Sequence, residues 1–395
     1  MTAVPVRLRN SPLPAFIAVL LSGLVASAPA AAADPIKIGV SGPFTGGSSP
    51  MGVSMRDGVR LAVAEINQAG GVLGRPIQLV ERDDEASPVR GVQVAQELIN
   101  KEHVVADLGF INTAVSLAAE RFYEEAKIPV INNVSTGSKI THQFEAPEFP
   151  DNYIFRNAAS DTIQSAMIVD EAVVRRKFTK AAILADSTNY GQLGREDLER
   201  ALAKRGLKAV AEEKFNIKDV DMTSQLLKAK EAGAQCILTY AIGPELAQVA
   251  NGMEKLGWHV PIIGSWTLSM ANFIDNAGKN GDGATMPETF IQEPTTPKRK
   301  AFIAAYQKAY KVERMPSPVS AAQGYDSVYL LAAAIRQAGS TDGVKLRQAL
   351  EALQDKVDGV VKVYDKPFTH DDHEAIKIGD AVMGEVYNGH VVPAR

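Results

Sequence analysis

The chain has 395 residues, 46% of them hydrophobic, 22% charged and 6% aromatic, and its 42 basic and 46 acidic side chains leave a formal charge of −4. This composition excludes disordered, collagen-like and coiled-coil architectures, and the charge gives no general attraction to nucleic acid or anionic lipid. The single cysteine, Cys236, rules out an intramolecular disulfide and a multi-cysteine metal site, while the length predicts two domains, each with its own core.

The first element in chain order is a secretory signal over residues 1–33. Arg7 and Arg9 precede an apolar run from Leu13 to Ala26, and Ala-Pro-Ala-Ala-Ala-Ala then leads into Asp34. A basic start, a short apolar run and an A-x-A ending at Ala31 and Ala33 predict cleavage after Ala33 and a periplasmic mature protein. The run is shorter than the roughly 20 apolar residues that span a bilayer, and no later stretch is longer. No cysteine stands at the cleavage position, so no lipid anchor is expected.

From Asp34 the pattern alternates strand and helix. Ile36–Val40 is a β run, and the next helix carries Val59, Ala62, Val63 and Ile66 at the spacing of a buried helical stripe. Asn67-Gln-Ala-Gly-Gly ends it, because glycine supplies a left-handed cap. Strands are expected at Ile77–Glu81, Val104–Leu108, Pro129–Asn132 and Tyr153–Arg156. A second series follows, with strands at Ala181–Ala185, Ala209–Phe215, Gln235–Thr239 and Val260–Gly264, and a further strand around Glu288–Gln292. Three more helices and a β-rich tail from Gly359 to Val392 complete the chain. Alternation of this kind predicts two α/β units, each a doubly wound parallel sheet covered on both faces.

In open parallel sheets, ligands sit beyond the carboxyl ends of the strands. The segments there are rich in hydroxyls, amides and glycine: Ser41 to Gly52, Gly109-Phe-Ile-Asn-Thr113, Asn132 to Gly137, Asp186 to Gly191 and Ser265-Trp-Thr267. Each alone fits an ordinary βα loop; their occurrence on both units predicts a cleft. Thr113 is expected to begin a helix, where free N–H groups and the helix dipole favour an anion. Thr113, Ser135 and Thr136 are therefore the expected carboxylate anchor.

The stretches Ile36-Lys-Ile-Gly-Val-Ser-Gly-Pro-Phe-Thr-Gly46, Gly58 to Gly74, Asp83-Asp84, Asn189-Tyr-Gly191 and Gly324-Tyr-Asp-Ser-Val-Tyr-Leu-Leu331 resemble the leucine/branched-chain amino-acid-binding family of ABC-importer solute receptors. The resemblance implies a type I periplasmic binding fold: two lobes joined by a three-crossover hinge, closing on a small solute and delivering it to membrane permease subunits. Lobes are then expected at 34–158 with 288–356, and at 159–287 with 357–395. Carried over position by position, a hydroxyl at Thr113, the carbonyl of Val134, and the hydroxyl and amide of Thr136 would hold the ligand, with Tyr190 reaching in from the second lobe. Met51 stands where an aromatic wall is usual, and Ala86 and Asn112 stand where a first-lobe disulfide would be. Trp266 occupies the position of the acid that pairs with a ligand ammonium. That exchange favours a carboxylate without a required ammonium, an aromatic or other apolar acid, because burying an unpaired ammonium is expensive. A cation–π contact from Trp266, or another acid such as Asp186 or Glu245, keeps branched-chain amino acids as the alternative.

Other signals carry less. His370-Asp-Asp-His373 reads as a solvated loop rather than a metal site. Tyr123 to Lys127 has a dehydrogenase-like Tyr-x-x-x-Lys spacing, yet no G-x-G-x-x-G follows the first strand. G-x-S-x-G and P-loop motifs are missing too, so neither an enzyme nor a cofactor is expected. Asn133-Val-Ser135 fits a glycosylation sequon in a segment already assigned to binding, and Cys236 reads as an inert core thiol. A monomeric transport receptor is expected, with a ligand sensor feeding a regulator or chemoreceptor as the alternative.

Overall fold

The computed structural model describes residues 1–8 and 34–395; the apolar run and cleavage motif of the expected signal lie outside the described residues. Strand β1 (Ile36–Gly42) sits inside a five-stranded sheet with β2 (Ile77–Asp83), β3 (Ala106–Gly109), β4 (Val130–Asn132) and β5 (Ile154–Arg156). The order is β2-β1-β3-β4-β5 and every pairing is parallel. Ile36, Ile38 and Val40 face one core together with helix α1 (Ser49–Gln68). The expected stripe of that helix, extended to Met51 and Met55, is buried, and each such side chain contributes about 1.5–3 kcal/mol. Helices α2 (Pro88–Glu97) and α3 (Thr113–Ala126) flank this sheet too, α3 burying Val115, Ala119 and Tyr123 against Val130 and Ile154. The cap after α1 is as expected: Gly70 and Gly71 have φ of +101° and +79°, and the Gly71 N–H returns to the Ile66 carbonyl at 2.9 Å.

After β5 the chain crosses to a second sheet. It contains α4 (Asp161–Val169), β6 (Ala181–Asp186), α5 (Asn189–Lys204), β7 (Ala211–Phe215), α6 (Thr223–Glu231) and β8 (Cys236–Tyr240). It continues through α7 (Gly243–Lys255), β9 (Ile262–Gly264), α8 (Ala271–Ala277) and β10 (Thr285–Glu288). Along β6, Ala182 and Leu184 face one core while Ala181 and Ile183 face the other, the two-residue alternation of a strand buried on both sides.

The second crossing follows Glu288 and leads to α9 (Pro297–Tyr310), α10 (Pro318–Ala338) and α11 (Gly343–Glu351), which return to the first core. Helix α10 lies directly on α1: a Cβ on Gly58 would stand 2.0 Å from the Ala321 carbonyl oxygen, and one on Gly324 would stand 2.3 Å from that of Met55. Only glycine permits that approach. After the short hairpin β11 (Val357–Asp358) and β12 (Val363–Tyr364), strands β13 (Val382–Tyr387) and β14 (His390–Pro393) close the second sheet in the order β14-β13-β10-β9-β8-β6-β7. Asn388 and Gly389 join them with φ of 47° and 77°, the left-handed pair that a two-residue hairpin requires.

Two expectations are corrected. The strand placed at Glu288–Gln292 lies at Thr285–Glu288 and belongs to the second sheet, held between β9 and antiparallel β13. The third crossing falls between Ile376 and Val382, not at residue 357. Val357, Val360, Tyr364, Phe368 and Ile376 pack into the first core, and the buried Asp326 carboxylate fixes them by accepting from the Val360 and Val361 N–H groups (2.7 and 2.9 Å) and the Tyr364 hydroxyl (3.0 Å). The sequence pattern there shows only β propensity, which does not say which sheet the segment joins.

Candidate ligand site

The strand-end segments of both sheets meet in one cleft. From the first lobe come Ser48 and Met51 around the start of α1, Ile111 and Asn112 after β3, and Val134 and Thr136 after β4. From the second come Tyr190 in the first turn of α5, Ile242 ahead of α7, and Trp266, Thr267 and Met270 beyond β9. Together they line an inner cavity of about 20 Å³, room for about one water. Among the described residues, no ionisable carboxyl, amine, guanidine or imidazole faces it. An outer chamber of about 570 Å³ opens beside it, sharing Ser48, Asn112, Tyr190 and Ile242 and adding Thr113 and Thr188.

Of the expected site residues, Met51, Val134, Thr136, Tyr190 and Trp266 line the inner cavity, Thr113 lines the outer chamber, and Ser135 lines neither. Ser135 is turned away from both spaces. Its N–H is tied to the Phe110 carbonyl at 2.9 Å, and its hydroxyl is fully buried without a partner, while the residues on either side face the cavity.

The first-lobe rim keeps donors in reserve. Thr113 opens α3 as expected, and the preceding Asn112 does not cap the helix with its side chain; its Nδ2 donates to Ser48 Oγ at 3.0 Å instead. The first N–H groups of a helix lack intrahelical partners, so α3 presents its positive end here. Thr113 Oγ1 accepts from the Gly137 N–H at 3.3 Å. Segment 132–137 is held from beneath by Arg156, which donates to the Gly137 carbonyl at 2.9 Å and is ion-paired with Glu374, Nε to Oε2 at 2.8 Å. That guanidinium is fully buried and occupied with the scaffold.

The second-lobe rim joins three of its hydroxyls in one chain. Tyr190 Oη and Ser265 Oγ are 2.5 Å apart, Ser265 Oγ and Thr267 Oγ1 are 2.9 Å apart, and Thr267 Oγ1 donates to the Ala241 carbonyl at 2.7 Å. Tyr190 meets Tyr240 edge-on, centroids 5.5 Å apart; burial pushes its hydroxyl pKa well above the usual range. Trp266 is 1% exposed and packs with the first-lobe core although it comes from the second lobe. Its N–H donates to Gln164 Oε1 at 3.1 Å and its carbonyl accepts from Ser269 Oγ at 2.7 Å.

One carboxyl was missed by sequence reasoning. Asp161, the first residue of α4, is fully buried with neither oxygen hydrogen-bonded, and its N–H is tied to the Thr136 carbonyl at 2.8 Å. Burial raises its pKa to about 8; the nearby Thr136 hydroxyl offsets this only in part and completes no hydrogen bond. The signal that finds it is the strand-end rule applied to β5 as well as to its neighbours. Neither acid named from sequence lines the inner cavity: Asp186 Oδ1 accepts from the Thr188 N–H at 2.8 Å, and Glu245, at the outer chamber, accepts through Oε1 from the Lys218 backbone N–H at 2.6 Å. Ser48, Asn112 and Thr267 lay within the segments singled out, whereas Ile242 and Met270 carry no signal beyond being apolar.

The remaining motifs resolve structurally. His373 is buried rather than solvated: it stacks on Phe155 with centroids 3.9 Å apart, and its ring nitrogens meet the Ile154 carbonyl at 2.9 Å and Glu351 at 3.3 Å. Tyr123 is core and Lys127 is the left-handed residue that ends α3. Burial lifts the Cys236 thiol to about 12, so it stays protonated and unreactive.

A family described as periplasmic binding protein matches residues 35–387. A leucine-, isoleucine-, valine-, threonine- and alanine-binding protein of Pseudomonas aeruginosa is 28% identical over 323 residues, 81% of this chain and 83% of that one. A branched-chain amino acid transporter substrate binding protein of Streptococcus pneumoniae, solved in complex with isoleucine, superposes with a TM-score of 0.79 at 25% identity, over 90% of this chain and 97% of that one. The fold is shared too with an ABC transporter solute-binding protein of R. palustris solved with benzoate, TM-score 0.77 at 21% identity, over 91% and 95% of the two chains.

Proposed function

The chain belongs to the periplasmic binding protein family, which binds rather than catalyses, and from that membership we propose that it is the periplasmic solute receptor of an ABC importer. Its solute is a small carboxylate with an apolar body, handed to membrane permease subunits. Support comes from the division of the cleft: hydroxyls, an amide and a helix N-terminus on the first-lobe rim, aromatic and aliphatic surface on the second. The observation that carries the choice of an acid is Trp266, an indole at the inner wall of the cleft where, among the described residues, no cationic or anionic side chain faces the cavity. An aromatic ring held beside Tyr190 gains about 0.5–1.5 kcal/mol from offset or edge packing beyond its area burial.

Titration calorimetry with benzoate, 3-phenylpropanoate and leucine tests this. The two acids are expected to bind, leucine at least about tenfold more weakly, and Trp266→Glu is expected to reverse that order. Tight leucine binding by the unaltered protein overturns the choice of an acid.

An apolar amino acid is the alternative solute, and Asp161 is the observation in its favour. Its carboxyl stands unpaired beside Thr136, and relatives such as the Pseudomonas protein are named for amino acids. With a pKa of about 8 it is mostly protonated at pH 7, so an ammonium docking there expels close to one proton. Calorimetry in two buffers of different ionisation enthalpy reads that release, and Asp161→Asn abolishes it.

A further inference from the structure

Resting on the proposal of an apolar acid, we infer that the outer chamber is an extension subsite, and that the solute is an elongated monocarboxylate whose far end is uncharged or cationic. The inner cavity of about 20 Å³ holds about one water and no ring or branched chain. The outer chamber, about 570 Å³, falls within the roughly 300–1,000 Å³ of sites that enclose whole organic ligands. The two spaces meet at Ser48, Asn112, Tyr190 and Ile242. The expected anchor Thr113, with the free end of α3, opens on the outer side of that junction. A carboxylate held there directs the rest of its molecule into the outer chamber, with Trp266 closing the inner end like a plug.

The chamber walls define what that remainder is. Both lobes contribute apolar surface, Ala86 and Ala114 from the first and Ile217, Val220 and Pro244 from the second. Ile217 is 37% and Val220 73% exposed, apolar side chains that a ligand in the chamber would cover. Three acids line it, Glu85, Asp219 and Glu245, against one base, Lys218. Glu245 is buried and accepts from the Lys218 backbone N–H. A second carboxylate at the far end meets a net like charge; a methylene chain, a phenol or an amine does not.

The test is a calorimetric series on the whole mature protein: benzoate, 3-phenylpropanoate, 5-phenylpentanoate and 3-(4-carboxyphenyl)propanoate. Affinity is expected to rise at least about tenfold from benzoate to the longest monocarboxylate, and the dicarboxylate to bind at least about tenfold more weakly than 3-phenylpropanoate. Two chamber-filling variants at separate sites, Ile217→Trp on an exposed loop and Gln248→Trp on α7, are expected to compress the monocarboxylate series to within about threefold. A flat or falling series in the unaltered protein, or a series that survives both variants, overturns the subsite while leaving the apolar-acid receptor standing. Binding of leucine with no binding of any acid overturns both.

Discussion

On the first-lobe rim, Asn112 leaves its helix uncapped and its Oδ1 is unpartnered; on the second-lobe rim, Tyr190, Ser265 and Thr267 are already joined in one chain of hydroxyls ending on the Ala241 carbonyl. Burying an unpaired polar group costs free energy, so the idle groups mark where a ligand supplies the missing partner. The second-lobe hydroxyl chain, closed without a ligand, offers shape and apolar surface instead. The two rims therefore divide the work: the first lobe orients the solute and the second covers it.

The largest expected effect comes from breaking the cover. Trp266 is buried against the first-lobe core across the cleft, and truncating a buried tryptophan costs about 3–5 kcal/mol. Because this contact joins the two lobes, much of the loss falls on closure. Trp266→Ala is expected to weaken 3-phenylpropanoate by about a hundredfold or more, and to remove the ligand-induced fall in radius of gyration seen by solution scattering. Unchanged affinity and compaction would assign closure to other contacts, such as Asn272 Nδ2 donating to the Gly47 carbonyl at 2.8 Å.

Breaking the anchor comes next. A hydrogen bond to a charged group is worth about 1.5–3 kcal/mol, so Thr113→Val should weaken a carboxylate by about ten- to a hundredfold while Thr113→Ser retains most of the affinity. A matching loss for an uncharged amide analogue of the same acid would show that Thr113 acts through packing against Gly137 and not on the charge.

A smaller effect appears in the pH dependence of stability. Burial raises Asp107, Glu120 and Asp326 of the first lobe to about 7, well above the ordinary carboxyl range of about 4. Between the ordinary carboxyl range and pH 7 the folded protein holds protons that the unfolded chain has released, so stability falls as pH rises. Their contribution is complete below about pH 4 and lost as pH passes the folded values. Melting should therefore occur several degrees lower at pH 8 than at pH 5.5; the opposite order would show these carboxyls ionised in the folded state. Smallest of all, Met51→Leu conserves volume at the inner wall and should change affinity by no more than about threefold in calorimetry.

Much of this was legible in the sequence, for physical reasons. The 3.6-residue stripe of α1 and the alternating strands follow directly from burial, and the strand-end rule brought Thr136, Tyr190 and Trp266 to one place because a parallel sheet puts all its exits on one edge. What escaped was decided by tertiary packing. Residues 357–376 join the first core because Asp326, far away in sequence, captures their backbone. Ser135 and Thr136 are adjacent and chemically alike, and only the packed structure shows one side chain turned away and the other facing the cavity. Asp161 looks like any acid at a helix start, and its importance appears only when both oxygens prove buried and unpaired.

A crystal structure of the protein with 3-phenylpropanoate tests the division of labour most directly. The account predicts the carboxylate within hydrogen-bond distance of Thr113 and the first N–H groups of α3, with the phenyl ring beside Tyr190 in the outer chamber. A carboxylate held instead by second-lobe groups, with the ring against the first-lobe rim, would contradict it.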